Sequence, residues 1–139
     1  MEGGTPVKSE LSKKNPYWID RKRYNELRYF CLQYPDWKKM YDSIDLIPSN
    51  QLKEIITSVE FSNPTYIHAE ARNWYRSRMK TVETSALLAD DFLKDFILLC
   101  VTEGRSYDYL KARLDIPCCR DNFYSTYRKF FWILDKKRG

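Results

Sequence analysis

The chain has 139 residues, of which 43% are apolar and 31% charged, and its formal net charge is +5. This length suits one domain, or one domain with an appendage, and the apolar content is sufficient to close a core. No apolar run approaches the roughly 20 residues that a membrane span needs, and the N-terminus lacks the apolar stretch of a secretory signal. We therefore predict a cytoplasmic protein whose basic charge favours an anionic partner such as nucleic acid.

The cysteines do not form a metal-binding pattern. No CxxC pair is present among Cys31, Cys100, Cys118 and Cys119, and the chain has one histidine, His68. A structural zinc site needs about four ligands, which usually come in close pairs. We interpret the cysteines as free thiols that pack as small apolar residues in a reducing compartment. The sequence therefore predicts neither a metal nor a cofactor.

The N-terminal part of the chain predicts a tail followed by a helix. Residues 1–14 contain Gly, Pro, Ser and Lys without hydrophobic periodicity, so we predict a disordered tail. Asn15 followed by Pro16 is typical of a helix start, because Asn caps the first turn and Pro fits within it. The first helix is predicted from there to about Tyr34, and Pro35 stops it and begins the next.

The middle of the chain predicts further helices. Short apolar-polar segments, the last over residues 51–60, complete an N-terminal group of helices that we place at 15–62. A central group follows over residues 63–103, and its first and longest helix begins at Pro64. That helix either continues through the following Ala-Leu-Leu run or breaks near Ser85. No segment shows the alternation of a strand, so the predicted fold class is all-α.

The last residues, 104–139, predict a helix-turn-helix. Gly104 ends the preceding helix as a C-cap, and Ser106 caps the short helix that follows. A turn of about three residues around Ile116 leads to a longer helix that runs to about Asp135. Two helices joined by a turn of this length are the pattern with which many proteins enter the major groove of DNA.

The longer of these two helices has an apolar back and a polar, basic front. At 100° per residue, Phe123, Tyr127, Phe130 and Leu134 share one side, with Phe131 at its edge. An ordinary amphipathic surface helix has the same pattern, so both interpretations stay open. A recognition helix in addition needs basic residues on its front, to meet phosphates and base edges. The predicted nucleic-acid-binding residues are Arg120, Tyr124, Ser125, Arg128, Lys129, Lys136 and Lys137.

Several stretches of the chain resemble a family of phage proteins. The C-terminal stretches are GRSYDYL from residue 104, IPCCRDNFY from residue 116 and YRKFFWIL from residue 127. They resemble the C-terminal part of the RinA and ArpU late-gene transcriptional regulators of phages and prophages of Gram-positive bacteria. NPYWIDR from residue 15 and FCLQYP from residue 30 are similar to an N-terminal signature of prophage proteins. The resemblance implies a helix-turn-helix related to region 4 of sigma factors, DNA binding and a phage origin.

The sequence therefore predicts a phage-encoded transcriptional regulator that binds double-stranded DNA in the host cytoplasm. Its N-terminal helices would form a homodimer or contact the host transcription machinery. The alternative is an inhibitor or adaptor of a host protein or nucleoprotein complex, for example an anti-CRISPR, and Trp132 on the polar face would then belong to a protein interface. No acid-base pair, nucleophile or metal cluster is evident, so we do not predict an enzyme.

Overall fold

The structure is a computed structural model that describes residues 13–55 and 63–139. Within those ranges every regular element is a helix and no strand is present, which confirms the predicted all-α class. The predicted disordered tail lies almost wholly outside the described residues, and so does the end of the segment predicted over 51–60. The helices, in chain order, are α1 (Arg21–Leu32), α2 (Tyr34–Asp42), a 3-10 turn (Ile44–Leu46), α3 (Ser49–Ile55), α4 (Pro64–Ala89), α5 (Lys94–Glu103), α6 (Tyr107–Leu114) and α7 (Arg120–Arg138).

None of these helices combines the length and the apolar character needed to cross a membrane; this holds for the described ranges.

The chain divides into two compact units. The described part of the first comprises residues 13–33 and Thr81–Gly139, and the second is Tyr34–Lys80. These units cut across the predicted groups at 15–62, 63–103 and 104–139, because α1 packs with the helices at the other end of the chain. The long helix α4 belongs to both units and runs unbroken through the position where a break was considered.

The first helix begins later than the sequence predicted. The Asn15 side chain accepts a hydrogen bond from the Tyr17 backbone N–H at 2.8 Å, but it closes a turn and not a helix. Helix α1 begins at Arg21, where the Asp20 side chain accepts from the Lys22 N–H at 3.1 Å. Both Asn15 and Asp20 are residues that favour N-caps, so the local signal alone did not distinguish them.

The first unit has an aromatic core built where α1, α5 and α7 meet. Leu27, Ile97 and Phe130 are fully buried in it, one from each helix. Two buried phenols also face each other, with the Tyr24 and Tyr127 hydroxyl oxygens 2.5 Å apart. The core therefore joins residues about a hundred positions apart along the chain.

Two of the four cysteines belong to this core. Cys31 and Cys100 are buried, and burial raises the pKa of both thiols, that of Cys100 to about 12. They pack as small apolar residues, as predicted. Cys118 is half-buried and Cys119 exposed, and all four are free.

The second unit has its own smaller core. Trp37 of α2, Leu52 of α3 and Ile67 of α4 are buried in it. His68 fixes the start of α4, because its two ring nitrogens lie 2.6 Å from the Pro64 carbonyl oxygen and 2.9 Å from the Ile47 carbonyl oxygen. The unit thus has a core of buried side chains and, in addition, contacts from the His68 ring to two backbone carbonyl oxygens.

Candidate nucleic-acid interface

Helix α6 is bounded by the caps that the sequence predicted. Gly104 adopts the left-handed conformation with φ of 72° and ends α5, a backbone geometry that suits a residue without Cβ. The Ser106 side chain accepts a hydrogen bond from the Tyr109 backbone N–H at 3.2 Å and caps α6. These two positions fix where α6 starts relative to the core of the first unit.

The segment between α6 and α7 is held from several sides. Ile116 is fully buried, and its backbone N–H donates to the Leu110 carbonyl oxygen at 3.3 Å. The Tyr107 hydroxyl donates to the Cys118 carbonyl oxygen at 2.6 Å. Five residues, 115–119, separate the helices, where about three were predicted. The connection is longer than expected but still fixes the direction in which α7 leaves it.

The apolar back of α7 is confirmed and is wider than predicted. Phe123, Tyr127, Phe130 and Leu134 are buried, and Phe131, predicted at the edge, is only 2% exposed. The back widens because both α1 and α5 pack on α7, so neighbouring helices cover more than one narrow stripe.

Tyr124 does not lie where a nucleic acid would reach it. The side chain was predicted to flank the polar face, but it is 3% exposed and its ring contacts Phe123 and Tyr127 edge to face, at centroid distances of 5.1 and 5.7 Å. Burial leaves no surface of this ring for a base or sugar. Tyr124 is therefore a core residue, and we remove it from the candidate interface.

The first turn of α7 carries little uncompensated positive charge. Arg120 forms an ion pair with Asp108, and its guanidinium lies over the Tyr107 ring at 5.3 Å. Asp121, the next residue, is exposed, and Asp90 lies across a groove from this part of the helix. The sequence predicted a basic front of Arg120, Arg128 and Lys129 around Ser125. An acidic residue compensates the charge of Arg120, the first of these.

The other predicted basic residues lie between the middle of α7 and its C-terminal end. Lys136 and Lys137 are exposed, and Arg128 and Lys129 are half-buried. The Arg128 Nε atom is enclosed and has no hydrogen-bond partner among the residues that the structure describes. Within the described chain, none of these four side chains forms an ion pair, so their charge is available to an anion.

Trp132 is partly covered by the segment that precedes α1. The Tyr17 ring meets it edge to face at 5.6 Å, and the Lys136 ammonium lies over its ring at 4.6 Å. The indole is half-buried and not freely exposed on the polar front. Other parts of the chain therefore cover α7 around Trp132. The part of the predicted front that stays accessible is formed by Ser125, Lys129 and Lys136.

Sequence reasoning missed a groove beside the N-terminal half of α7. Helix α5 begins at Lys94, and Phe92 lies on the preceding turn with 73% of its surface exposed. The Asp90 side chain holds this turn by accepting from the Phe92 and Leu93 backbone N–H groups at 2.9 and 3.1 Å. The cavity measures about 330 Å³ and is lined by Asp90, Phe92, Leu93, Cys118, Asn122, Ser125 and Thr126.

The described residues contain no group of three or more His, Cys, Asp or Glu side chains placed to hold a metal ion.

Comparison with known proteins finds no matching family model, no matching curated protein and no matching solved structure.

Proposed function

We propose that α6 and α7 form a helix-turn-helix that binds double-stranded DNA, with the basic part of α7 on the phosphates. The observation that carries this proposal is a set of basic side chains, from the middle of α7 to its end, that form no ion pair with the residues that the structure describes: Arg128, Lys129, Lys136 and Lys137. The opposite side of the same helix is anchored in the core, so these charges are presented by a fixed scaffold.

The arrangement favours contacts to the DNA backbone over extensive reading of bases. Lysines bind phosphates as point charges and release condensed counterions, which gives affinity without sequence preference. Asn122 and Ser125 are exposed nearer the N-terminus of α7 and offer hydrogen-bonding groups suited to base edges. Arg120 contributes less, because Asp108 already compensates its charge.

The biological role that we attach to this binding is transcriptional regulation by a phage-encoded protein in the host cytoplasm. Its support is the resemblance of the segments between residues 104 and 134 to late-gene regulators. The binding chemistry requires no cofactor and no catalytic group.

The test is a DNA-binding titration at two salt concentrations, with random duplex and with DNA from beside the protein's own gene. Replacing Lys129 and Lys136 together by Ala should weaken binding and lower the slope of log affinity against log salt by about 2, because each phosphate contact contributes about 1. The matched control is Lys38→Ala with Lys39→Ala, two exposed lysines of α2 whose removal changes the net charge equally.

The control pair should keep the wild-type salt slope. Equal losses in both double variants would reduce the effect to net charge and contradict an interface on α7. Absence of binding by the unaltered protein at low salt would reject DNA binding altogether.

A second candidate function is an inhibitor or adaptor that binds a host protein, for example as an anti-CRISPR. It is favoured by the exposed apolar surface at the end of α4 and the turn after it, where Leu88 is 53% and Phe92 73% exposed. Exposed aromatic and aliphatic side chains that lie together are typical of protein interfaces. Capture of one host protein that persists after nuclease treatment would favour this function over DNA binding.

A further inference from the structure

We propose that the groove between the turn at residues 90–93 and helix α7 binds a basic amphipathic helix of a protein partner. We call it the Phe92 groove, and it is formed by Phe92 and Leu93 on one wall and by Asn122, Ser125 and Thr126 on the other. The proposal concerns a surface other than the basic part of α7 and does not depend on DNA binding.

The groove is large enough to take a long side chain of a partner. Its volume of about 330 Å³ is at the lower end of the range for small-molecule sites, and it is open to solvent on one side. One wall is apolar and the other carries amide and hydroxyl groups. Such a groove suits a long side chain whose stem is apolar and whose end is polar.

The chain segment that leads into the groove carries exposed apolar side chains. Phe92 is 73% exposed, and Leu87 and Leu88 at the end of α4 are 44% and 53% exposed. The three side chains lie within six positions of one another along the chain. Helical peptides that bind a partner surface place an apolar face against side chains of this kind.

The charge beside the groove determines which kind of partner fits. Asp90 lines it, and one of its carboxylate oxygens accepts from two backbone N–H groups. Asp91, the next residue, pairs with Lys94 at 3.2 Å, so Asp90 is the carboxylate available to an occupant of the groove. An acidic edge repels the phosphates of a nucleic acid and attracts a basic segment.

The structure therefore favours an occupant with Lys or Arg next to apolar residues. The aliphatic stem of a Lys or Arg would lie along Phe92 and Leu93, while its cation would approach the Asp90 carboxylate. Apolar residues one helical turn away would cover Leu88. This combination describes one face of a basic amphipathic helix.

The experiment is an NMR titration of the full-length protein with a synthetic Leu/Lys amphipathic peptide of about 14 residues, long enough to form a helix. A peptide with Glu in place of every Lys is the matched probe of opposite charge. We expect the Lys peptide to shift the amide signals of residues 88–95 and 118–126, and the Glu peptide to leave them unchanged.

Two variants test the residues that the proposal names. Phe92→Ala should weaken binding of the Lys peptide at least tenfold. Asp90→Asn keeps an oxygen that can accept from the Phe92 and Leu93 N–H groups but removes the charge, so it should weaken binding less and reduce its salt dependence. The control is Leu46→Ala, which removes another exposed apolar side chain, 86% exposed, from the second unit and should leave binding unchanged. Unshifted amide signals elsewhere establish that each variant is folded.

Several results would overturn the proposal. They are equal binding of the Lys peptide by wild type and Phe92→Ala, and peptide-induced shifts confined to other surfaces; shifts of Asn122 and Ser125 by duplex DNA belong to the proposed function and do not test the groove. Concentration-dependent broadening of the groove amides without peptide would assign the groove to a second copy of the chain instead. Phe92→Ala should retain DNA binding, so failure of this proposal and failure of the proposed function are distinguishable.

Discussion

At the scale of single residues, the pair of buried phenols is the most constrained feature of the first unit. The Tyr24 and Tyr127 hydroxyl oxygens lie 2.5 Å apart inside the aromatic core. Burial raises the pKa of both phenols, so both stay protonated at neutral pH. Each buried hydroxyl therefore has the other as its hydrogen-bond partner, and losing one would leave the other buried without a bond.

This pairing predicts a non-additive effect on stability. Tyr127→Phe should lower the free energy of unfolding by about 1–3 kcal/mol, because it leaves the Tyr24 hydroxyl buried without its partner. Adding Tyr24→Phe removes that orphaned group, so the double variant should be more stable than the sum of the two single losses implies. Urea unfolding of the four proteins measures the coupling, and simple additivity would contradict the pairing.

At the scale of elements, the boundaries of α6 follow from local hydrogen bonds. Ser106 satisfies a backbone N–H that the first turn of any helix leaves free, and Gly104 takes a conformation that costs other residues free energy. The segment that leads into α7 begins from this helix. The positions of the predicted DNA contacts thus depend on caps that lie well before them.

Loss of the α6 cap should be measurable. Ser106→Ala is expected to lower the free energy of unfolding by about 1 kcal/mol, because the Tyr109 N–H loses its acceptor. Ser125→Ala is the matched control: this exposed serine within α7 caps nothing, and alanine has the higher helix propensity. Thermal unfolding compares the two, and equal destabilisation would show that the Ser106 cap contributes little.

At the scale of the whole molecule, the chain forms two units, each with its own buried residues. Phe130 is fully buried in the first unit and Leu52 in the second. A cavity left by truncating either side chain removes packing mainly from the unit that contains it. Helix α4 continues from one unit into the other, so the two are joined by an unbroken backbone.

Truncation of the two cores should therefore have separable effects. Leu52→Ala is expected to lower the free energy of unfolding by about 2–5 kcal/mol. It should reduce amide protection against hydrogen exchange mainly within residues 34–80. Phe130→Ala should lower the free energy of unfolding by about 3–5 kcal/mol and reduce amide protection mainly in α1, α5 and α7. Native-state hydrogen exchange measures both, and a uniform loss of protection in either variant would indicate one cooperative unit.

Much of the helical framework was predictable from local sequence. Gly104, Ser106 and Pro35 act on backbone groups within a few residues of themselves, so their roles are legible without a fold. The apolar spacing of Phe123, Tyr127, Phe130 and Leu134 likewise identified the buried side of α7. The DNA contacts proposed for the opposite side remain a prediction.

What the sequence by itself determined was the helical class, the caps that bound α6 and the side of α7 that faces inward, since caps and periodicity are short-range. Only the tertiary structure decided that Tyr124 is buried, that Arg120 is compensated by Asp108 and that Phe92 borders a groove. It also places the Arg23 Nε atom 2.6 Å from the Asp135 Oδ1 atom, although the two residues are 112 positions apart along the chain. Exposure and charge compensation depend on which helices become neighbours, and that is set by packing across the whole chain.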